Sequence, residues 1–558
     1  MTQSLGTRLA ALRQFAEGRA PKLAAPYPGF VLFGSVSDGN SRARVVSGTG
    51  ESLGAAWDAV QAKLLDVIAK RTLEPRWLRV DWVTAAEAVT WKRLKRRLEV
   101  TKRNYFRLGL ALDPGFRHAF LEQEINANAM LYGGNTVVNA VLNEGNFTLY
   151  AKTKFPGIGT VDFDPAAVVH VFSAAGAFSD EMGGVVELNP TGPDGSRRRI
   201  DALGVTDVDY LIRRSSDYLA AQVQPDGRFI YGYHPCFDRR IHAYNTLRHA
   251  STTYAMLEAW EVTRDPALKA AIDRSLDCLT GELIHETRLA DGTGAAFLVD
   301  TGGEIKLGGN AVTILALAKH AALTGSTDYL PLAEKLAHGI RAIQDPATGA
   351  FVHVLHWPGL AVKAAQRTIY YDGEAAFGLM RLYEVTHNPL WLETVEKAFA
   401  HFIAAGHAQH HDHWLSYCVN ELTRHRPEER YFRFGIENFA GYLDFVLTRI
   451  TTFPTLLELM MAAERMLSRI AGEPGLAHLL DGVDLEKFQG ALHWRAHHLL
   501  NGHFWPELAM YYRNPARIEG SFFIRHHAFR VRIDDVEHYL SGFVAYREFL
   551  LRRQRAAA

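Results

Sequence analysis

The densest run of reactive side chains is residues 231–249, YGYHPCFDRRIHAYNTLRH. It mixes aromatic rings with arginine, histidine and one carboxylate. That mixture suits a sugar: ring faces cover its apolar faces, while Arg, Asn and Asp make directional hydrogen bonds to hydroxyls or acidic groups. Pro235 interrupts helical hydrogen bonding, so the segment reads as a loop feeding a helix N-terminus. Asp238 has the chemistry of a general acid or base. Tyr233, Arg239, Tyr244, Asn245 and Arg248 are candidates to bind substrate. A second group, YYDGE at 370–374, supplies Tyr371, Asp372 and Glu374. Paired carboxylates across a cleft are what glycosidic cleavage requires, one protonating the leaving oxygen and the other activating water or attacking. The expected pair is Asp238 with Asp372 or Glu374.

Histidine offers a different chemistry. The chain has 25, concentrated in FVHVLHW (351–357) and HAQHHDHW (407–414). Imidazole titrates near neutral pH, so paired histidines can move a proton at a carbon beside a carbonyl, as an epimerase must. His249, His353 and His413 are the candidates, with His356, Trp357 and Trp414 alongside as substrate contacts. The 407–413 cluster does not match HExxH spacing, and neighbouring histidines on a short loop point apart; no metal site and no cofactor is expected.

These groups sit at the heads of a repeat. Three segments share a polar residue, an alanine, an apolar helical run, a short turn and a second helix. Their alanines, Ala250, Ala311 and Ala375, are spaced by 61 and 64 residues. Recurrence on that scale signals one helical hairpin used repeatedly, with the loops at the hairpin heads placed to line a central cavity. Weaker helical blocks follow at 431–450, 455–470 and 534–551. Upstream, strands and helices mix without a regular alternation. Strands are expected at 29–34, 42–46, 77–83, 105–112 and 168–173, with helices at 50–60 and 116–131. The expected organisation is an N-terminal helix or arm (1–28), an α+β domain (29–200), an all-α toroid (205–551) and a frayed tail (552–558).

The hairpin rhythm, the run LMRLYEVTHNPLWLE (379–393) and the turns QPDGRF (224–229) and QDPATGAF (344–351) carry a resemblance. Residues 205–550 resemble the six-hairpin (α/α)6 toroid superfamily, which includes glycoside hydrolases, N-acylglucosamine and cellobiose 2-epimerases and lanthionine-cyclase toroids. The resemblance implies a toroid with its site at the wide mouth and a carbohydrate substrate. The lanthionine-cyclase branch needs zinc on two cysteines and a histidine; Cys236, Cys278 and Cys418 have no such spacing. Glycoside hydrolysis of an oligosaccharide or envelope polysaccharide precursor is the leading expectation. A histidine-based epimerase and a non-catalytic glycan- or protein-binding toroid are the alternatives.

Composition narrows the partners. Formal net charge is +0, with 61 basic and 61 acidic residues, so no chain-wide field favours nucleic acid or an acidic membrane. Three cysteines, few and odd in number, argue against a disulfide framework and point to a reducing compartment; with no apolar run of membrane-spanning length, a cytoplasmic location is expected. Oligomeric state is left open. Two local features stand apart: the basic run KRLKRR (92–97) with Lys102 and Arg103, and the polar segment 521–539, whose alternating charges read as pairing that closes the ring.

Overall fold

The computed structural model describes residues 3–557, which fall into two compact units. Unit 1 takes Met1–Asp201, Gly232–Arg240 and Asn501–Val531. Its centre is an antiparallel sheet of β1 (Phe30–Ser37), β2 (Arg44–Gly50), β3 (Trp77–Thr90), β4 (Gly109–Ala111), β5 (Ala119–Phe120), β6 (Val168–Ser179) and β7 (Val185–Leu188). The order is β2-β1-β3-β6-β4-β5, with β7 also on β6. Helices α1 (Leu5–Ala16) and α2 (Leu53–Arg71) bury Leu9, Leu12, Trp57, Val60 and Leu64 against Leu32, Val36, Leu78 and Val80 of the sheet. Gly34 permits that approach, since a Cβ there would lie 2.5 Å from Leu64 Cδ1. Helices α3 (Trp91–Glu99), α4 (Glu122–Ala127) and α5 (Glu144–Lys154) build a second core around Trp91, Leu94, Leu98, Phe120 and Phe147.

The distant segment of unit 1 is tied in by buried charge. Arg79 pairs with Asp81 at 2.7 Å and donates to the carbonyls of Ser196 and of Glu507, the latter in the short helix α18 (Pro506–Ala509). Arg198 holds the Glu507 carboxylate at 2.8 Å. Such a network satisfies every charge it buries, as burial requires. Thus 501–531, which the hairpin rhythm places in the toroid, and 232–240 both belong to unit 1. The expected long helix at 116–131 forms only over α4, after β5. The expected strand at 105–112 shortens to β4, and the expected tail continues as helix to Ala557, with 558 outside the described residues.

Unit 2 takes Ala202–Tyr231, Ile241–Leu500 and Arg532–Ala558. Six helices form a closed inner ring: α7 (Thr246–Thr263), α9 (Leu307–Thr324), α11 (Tyr370–Thr386), α13 (His413–His425), α16 (Thr455–Gly472) and α19 (Ile533–Ala557). Each packs on the next, and α19 closes onto α7. The outer layer is α6 (Val205–Gln222), α8 (Pro266–Cys278), α10 (Leu330–Ala342), α12 (Pro389–Ala404), α14 (Glu429–Ala440) and α17 (Leu485–His498), each against its inner neighbour; the short α15 (Leu443–Thr448) packs on α17. This is an (α/α)6 toroid.

Local chemistry makes the hairpins. Inner α7 ends at Arg264 (φ 50°) and α11 at His387 (φ 54°), both in left-handed C-cap positions. Asp265-Pro266 and Asn388-Pro389 follow, an N-cap side chain and then a proline where no amide donor is needed. The repeated EVTRDP and EVTHNP are therefore the same turn written twice. Inner helices are apolar on nearly all sides because both the ring neighbours and the outer layer cover them. Inner and outer helices alternate along the chain, so the inner N-termini gather at one end. Strands β10 (Ile284–Arg288), β11 (Gly294–Asp300), β12 (Glu304–Lys306), β13 (Val354–His356) and β14 (Val362–Ala364) form a sheet against that end. There Asp300 accepts from the Thr246 amide, and β12 runs directly into α9. In unit 1, β8 (Gly232–His234) and β9 (Arg239–Arg240) pair as a small hairpin. No described helix is long and apolar enough to cross a membrane.

Candidate functional site

The first turns of the inner helices carry polar side chains on otherwise apolar cylinders. Arg248 on α7 lies 3.5 Å from Asp534 and 3.9 Å from Glu537, both on α19. Glu537 also accepts from Ser251 and Thr252, at 2.7 and 2.8 Å. The next residue, His538, has its Nδ1 2.9 Å from Glu458 Oε2 on α16. Its ring meets that of His413, the first residue of α13, edge to face at 5.4 Å. Tyr370, opening α11, contacts His413 from the other side at 5.7 Å. One turn on, Glu374 lies over α9, where a Cβ at Gly308 would fall 1.7 Å from its Oε2; glycine makes the space for the carboxyl.

Burial sets the protonation of this ring of groups. It pushes Glu374 up to about 8, with Arg248 pulling the other way and Asp412 adding to the rise. Burial likewise takes Glu458 to about 8 and Glu537 to about 7. His538 is lowered, again by burial, against the pull of Glu537. Both shifts in the Glu458–His538 pair favour its uncharged form. Buried atoms without partners face this region: Glu374 Oε2, His413 Nε2 and Asp534 Oδ1. Native interiors leave few such atoms unpaired, and where they cluster a ligand group is the natural partner.

Several sequence candidates do not join the cluster. Asp238 is in unit 1, in a left-handed turn (φ 52°), with its carboxylate on Arg517 at 2.6 Å. Tyr233 and Arg239 lie on the same small hairpin of unit 1, Tyr233 under Arg517 and Arg239 over Phe237. His249 is fully buried, Nδ1 bonded to the Tyr244 hydroxyl (2.8 Å) and Nε2 to the Ser275 carbonyl (2.9 Å), and burial drops it to about 4. Tyr244 is spent on His249 and the Phe229 amide, and Asn245 is the N-cap of α7.

Asp372 is buried 3.3 Å from His353 Nε2 and 4.0 Å from His407 Nδ1. His353 Nδ1 accepts from the Arg367 amide at 2.9 Å, so its proton sits on Nε2, facing Asp372. The pair ties the base of the β13–β14 hairpin to α11, and Tyr371 packs on the His353 ring. His356 is exposed on β13, and Trp357 stacks on His285 at the sheet edge. Trp414 is buried against Phe377, Tyr417 and His538. Asp412, the N-cap of α13, occupies space that only Gly373 leaves open.

The cluster brings the sequence candidates Arg248, Glu374 and His413 together with Glu458, Glu537 and His538, which the sequence did not single out. The signal was present: Glu458 is the sole charged residue in TLLELMMAA (455–463), the opening of an apolar inner helix. Aligning the inner helices by their first turns exposes it. His413, Glu458 and His538 each offer a ligand atom within 4.8 Å of the others, a donor set compatible with a divalent metal. One of those contacts is the hydrogen bond between His538 and Glu458.

No family model matches this chain, and no curated protein matches it. Among solved structures it is similar to a D-mannose isomerase, at 11% identity and TM-score 0.47 over 63% of this chain and 100% of that one. It is also similar to the cellobiose 2-epimerase of Bacillus thermoamylovorans B4167 (12%, 0.46, 62% and 99%). A third similar structure is a GH76 α-mannanase from Bacteroides thetaiotaomicron (10%, 0.44, 62% and 97%).

Proposed function

We propose that the N-terminal mouth of the toroid moves a proton at the carbon beside the carbonyl of an open-chain sugar, as a sugar isomerase or epimerase does. The observation that carries this reading is the contact of His413 and His538 at 5.4 Å, with Glu458 fixing the His538 ring. His538, kept uncharged by burial, takes the proton from carbon, and the electron pair moves onto the carbonyl oxygen to give an enediolate. Arg248 balances the developing negative charge, and the uncharged Glu374 carboxyl donates to oxygen. The proton then returns to the neighbouring carbon, while Glu374 recovers its proton from the second hydroxyl as that oxygen becomes the new carbonyl; return to the same carbon from the other side instead inverts it, with Glu374 taking its proton back. Two ring nitrogens within 4.8 Å serve one face of a substrate, which favours a shift between adjacent carbons, aldose to ketose, over inversion from opposite faces. Tyr370, Tyr371 and Trp414 supply the ring surfaces a sugar packs on.

Incubating the protein with a panel of aldoses, ketoses and reducing disaccharides in D2O, followed by NMR, tests this. Deuterium entering C1 or C2 with interconversion of isomers supports it, and activity unaffected by a chelator assigns the trio to proton transfer. A second reading rests on Glu374: a buried carboxyl raised to about 8 with an unpaired oxygen is the state of a glycosidase general acid. Cleavage of a glycoside, lost in Glu374→Gln and kept in His538→Asn, would replace the isomerase with the hydrolase.

A further inference from the structure

The basic run that opens α3 has no part in the toroid, yet it is built into a surface. Residues 91–103 carry seven Lys and Arg against one acid, Glu99. The apolar face of α3 (Trp91, Leu94, Leu98) is buried, so Lys92, Arg93, Arg96 and Arg97 are exposed on the other. Counter-charge is limited: Glu87 lies near Arg93 and Arg97, and Glu144 near Lys95. A surplus of positive charge remains.

Beside it stand exposed aliphatic tips. Val100, directly after α3, is 87% exposed, Val138 is 78% and Val141 37%. They share one edge because 101–103 pairs with 138–140: the Arg103 amide donates to the Val138 carbonyl (3.2 Å) and the Ala140 amide to the Thr101 carbonyl (2.7 Å). The Arg103 guanidinium holds the loop from inside, donating to the carbonyls of Gly134, Asn135 and Val137. A cavity of about 270 Å³ opens between α3 and this loop, lined by Lys95, Leu98, Asn139 and Val141 among others. Exposed valines on a braced loop next to a cationic helix face are a poor match for a nucleic acid, which would reward aromatic stacking. They match a bilayer surface: aliphatic tips enter the headgroup region while each Lys or Arg gains from anionic lipid.

We infer that α3 with the Val100 and Val138 loops docks the protein on a membrane surface bearing anionic phospholipid headgroups, independently of what the toroid catalyses. The test is co-sedimentation of the full chain with phosphatidylcholine vesicles, with and without roughly a third phosphatidylglycerol. The expected result is binding to the anionic vesicles only. That binding is weakened by salt and reduced at least about tenfold both by Lys92→Glu with Arg96→Glu and by Val100→Asp with Val138→Asp. Circular dichroism should be unchanged in both double variants, since all four side chains are exposed. Absence of binding to anionic vesicles overturns the proposal. So does equal binding to soluble polyphosphate or DNA that the valine variants leave intact, which would make the face a polyanion site.

Discussion

The two ends of the toroid bury charge in opposite ways. Where the inner helices begin, Glu374, Glu458 and Glu537 are raised to about 8, 8 and 7, with unpaired atoms on Glu374, His413 and Asp534. Toward their other end, Glu421 is as deeply buried, yet Arg381 stands 3.1 Å and Arg424 2.7 Å away. Burial pushes Glu421 up, but these two cations outweigh it and hold it below the usual carboxylate range. Glu258 in the same region accepts from Ser541 at 2.6 Å. At one end cations next to the buried carboxylate keep it ionised; at the other, burial outweighs the neighbouring charges and keeps the carboxyls protonated.

The sharpest way to break that contrast is to remove the mouth's proton carrier. His538→Asn should lower turnover by about a hundredfold to ten-thousandfold with thermal stability nearly unchanged, since general acid–base groups contribute on that scale. Gly308→Ala should hurt both activity and stability. Its methyl group would sit 1.7 Å from Glu374 Oε2 and 2.7 Å from the Tyr371 ring, so the carboxyl must move, at a cost of about 1–3 kcal/mol by denaturant titration.

At the opposite end, Glu421→Gln should cost about 1–3 kcal/mol at neutral pH while sparing kcat. The sign follows from the lowered pKa: the pairing contributes above the ordinary glutamate value and is lost as pH falls through the lower folded one. The smallest effect is also the most diagnostic. Glu374 is raised, so the folded state holds a proton the unfolded chain has released between the ordinary glutamate value and about 8; stability therefore falls as pH rises through that window. Glu374→Gln should raise Tm by a few degrees at pH 8 relative to wild type, and by less near pH 5. A wild-type-like Tm at both would put the two ends on the same footing.

Much of this architecture was legible because three hairpins share one layout and spacing, two of them through the same turn, EVTRDP and EVTHNP, with a left-handed cap and an Asp- or Asn-Pro start. The ring's last two inner helices showed only as helical blocks at 455–470 and 534–551, not as members of the repeat. Helices α16 and α19 lack that turn, and between them the chain leaves for unit 1 over 501–531, so neither shows the repeat spacing. The site suffered for the same reason. Arg248 and Glu374 sit at repeat heads and His413 in the histidine-rich run 407–414, whereas Glu458 and His538 come from the two irregular helices. Conversely, the 231–249 loop drew attention by density alone. Apart from Arg248, its named candidates are engaged elsewhere: Asp238 by Arg517, Tyr244 by His249, Asn245 by the α7 cap.

The claim that this mouth is an acid–base site at a carbonyl-bearing sugar is tested most directly by solvent exchange. Wild type, His413→Asn and His538→Asn would be incubated in D2O with the sugar that wild type converts, following label at C1 and C2 by NMR. The account predicts deuterium incorporation by wild type, abolished in His538→Asn and strongly reduced in His413→Asn, with all three equally folded. Exchange that survives both substitutions, or turnover of a sugar with no label gained, would contradict it.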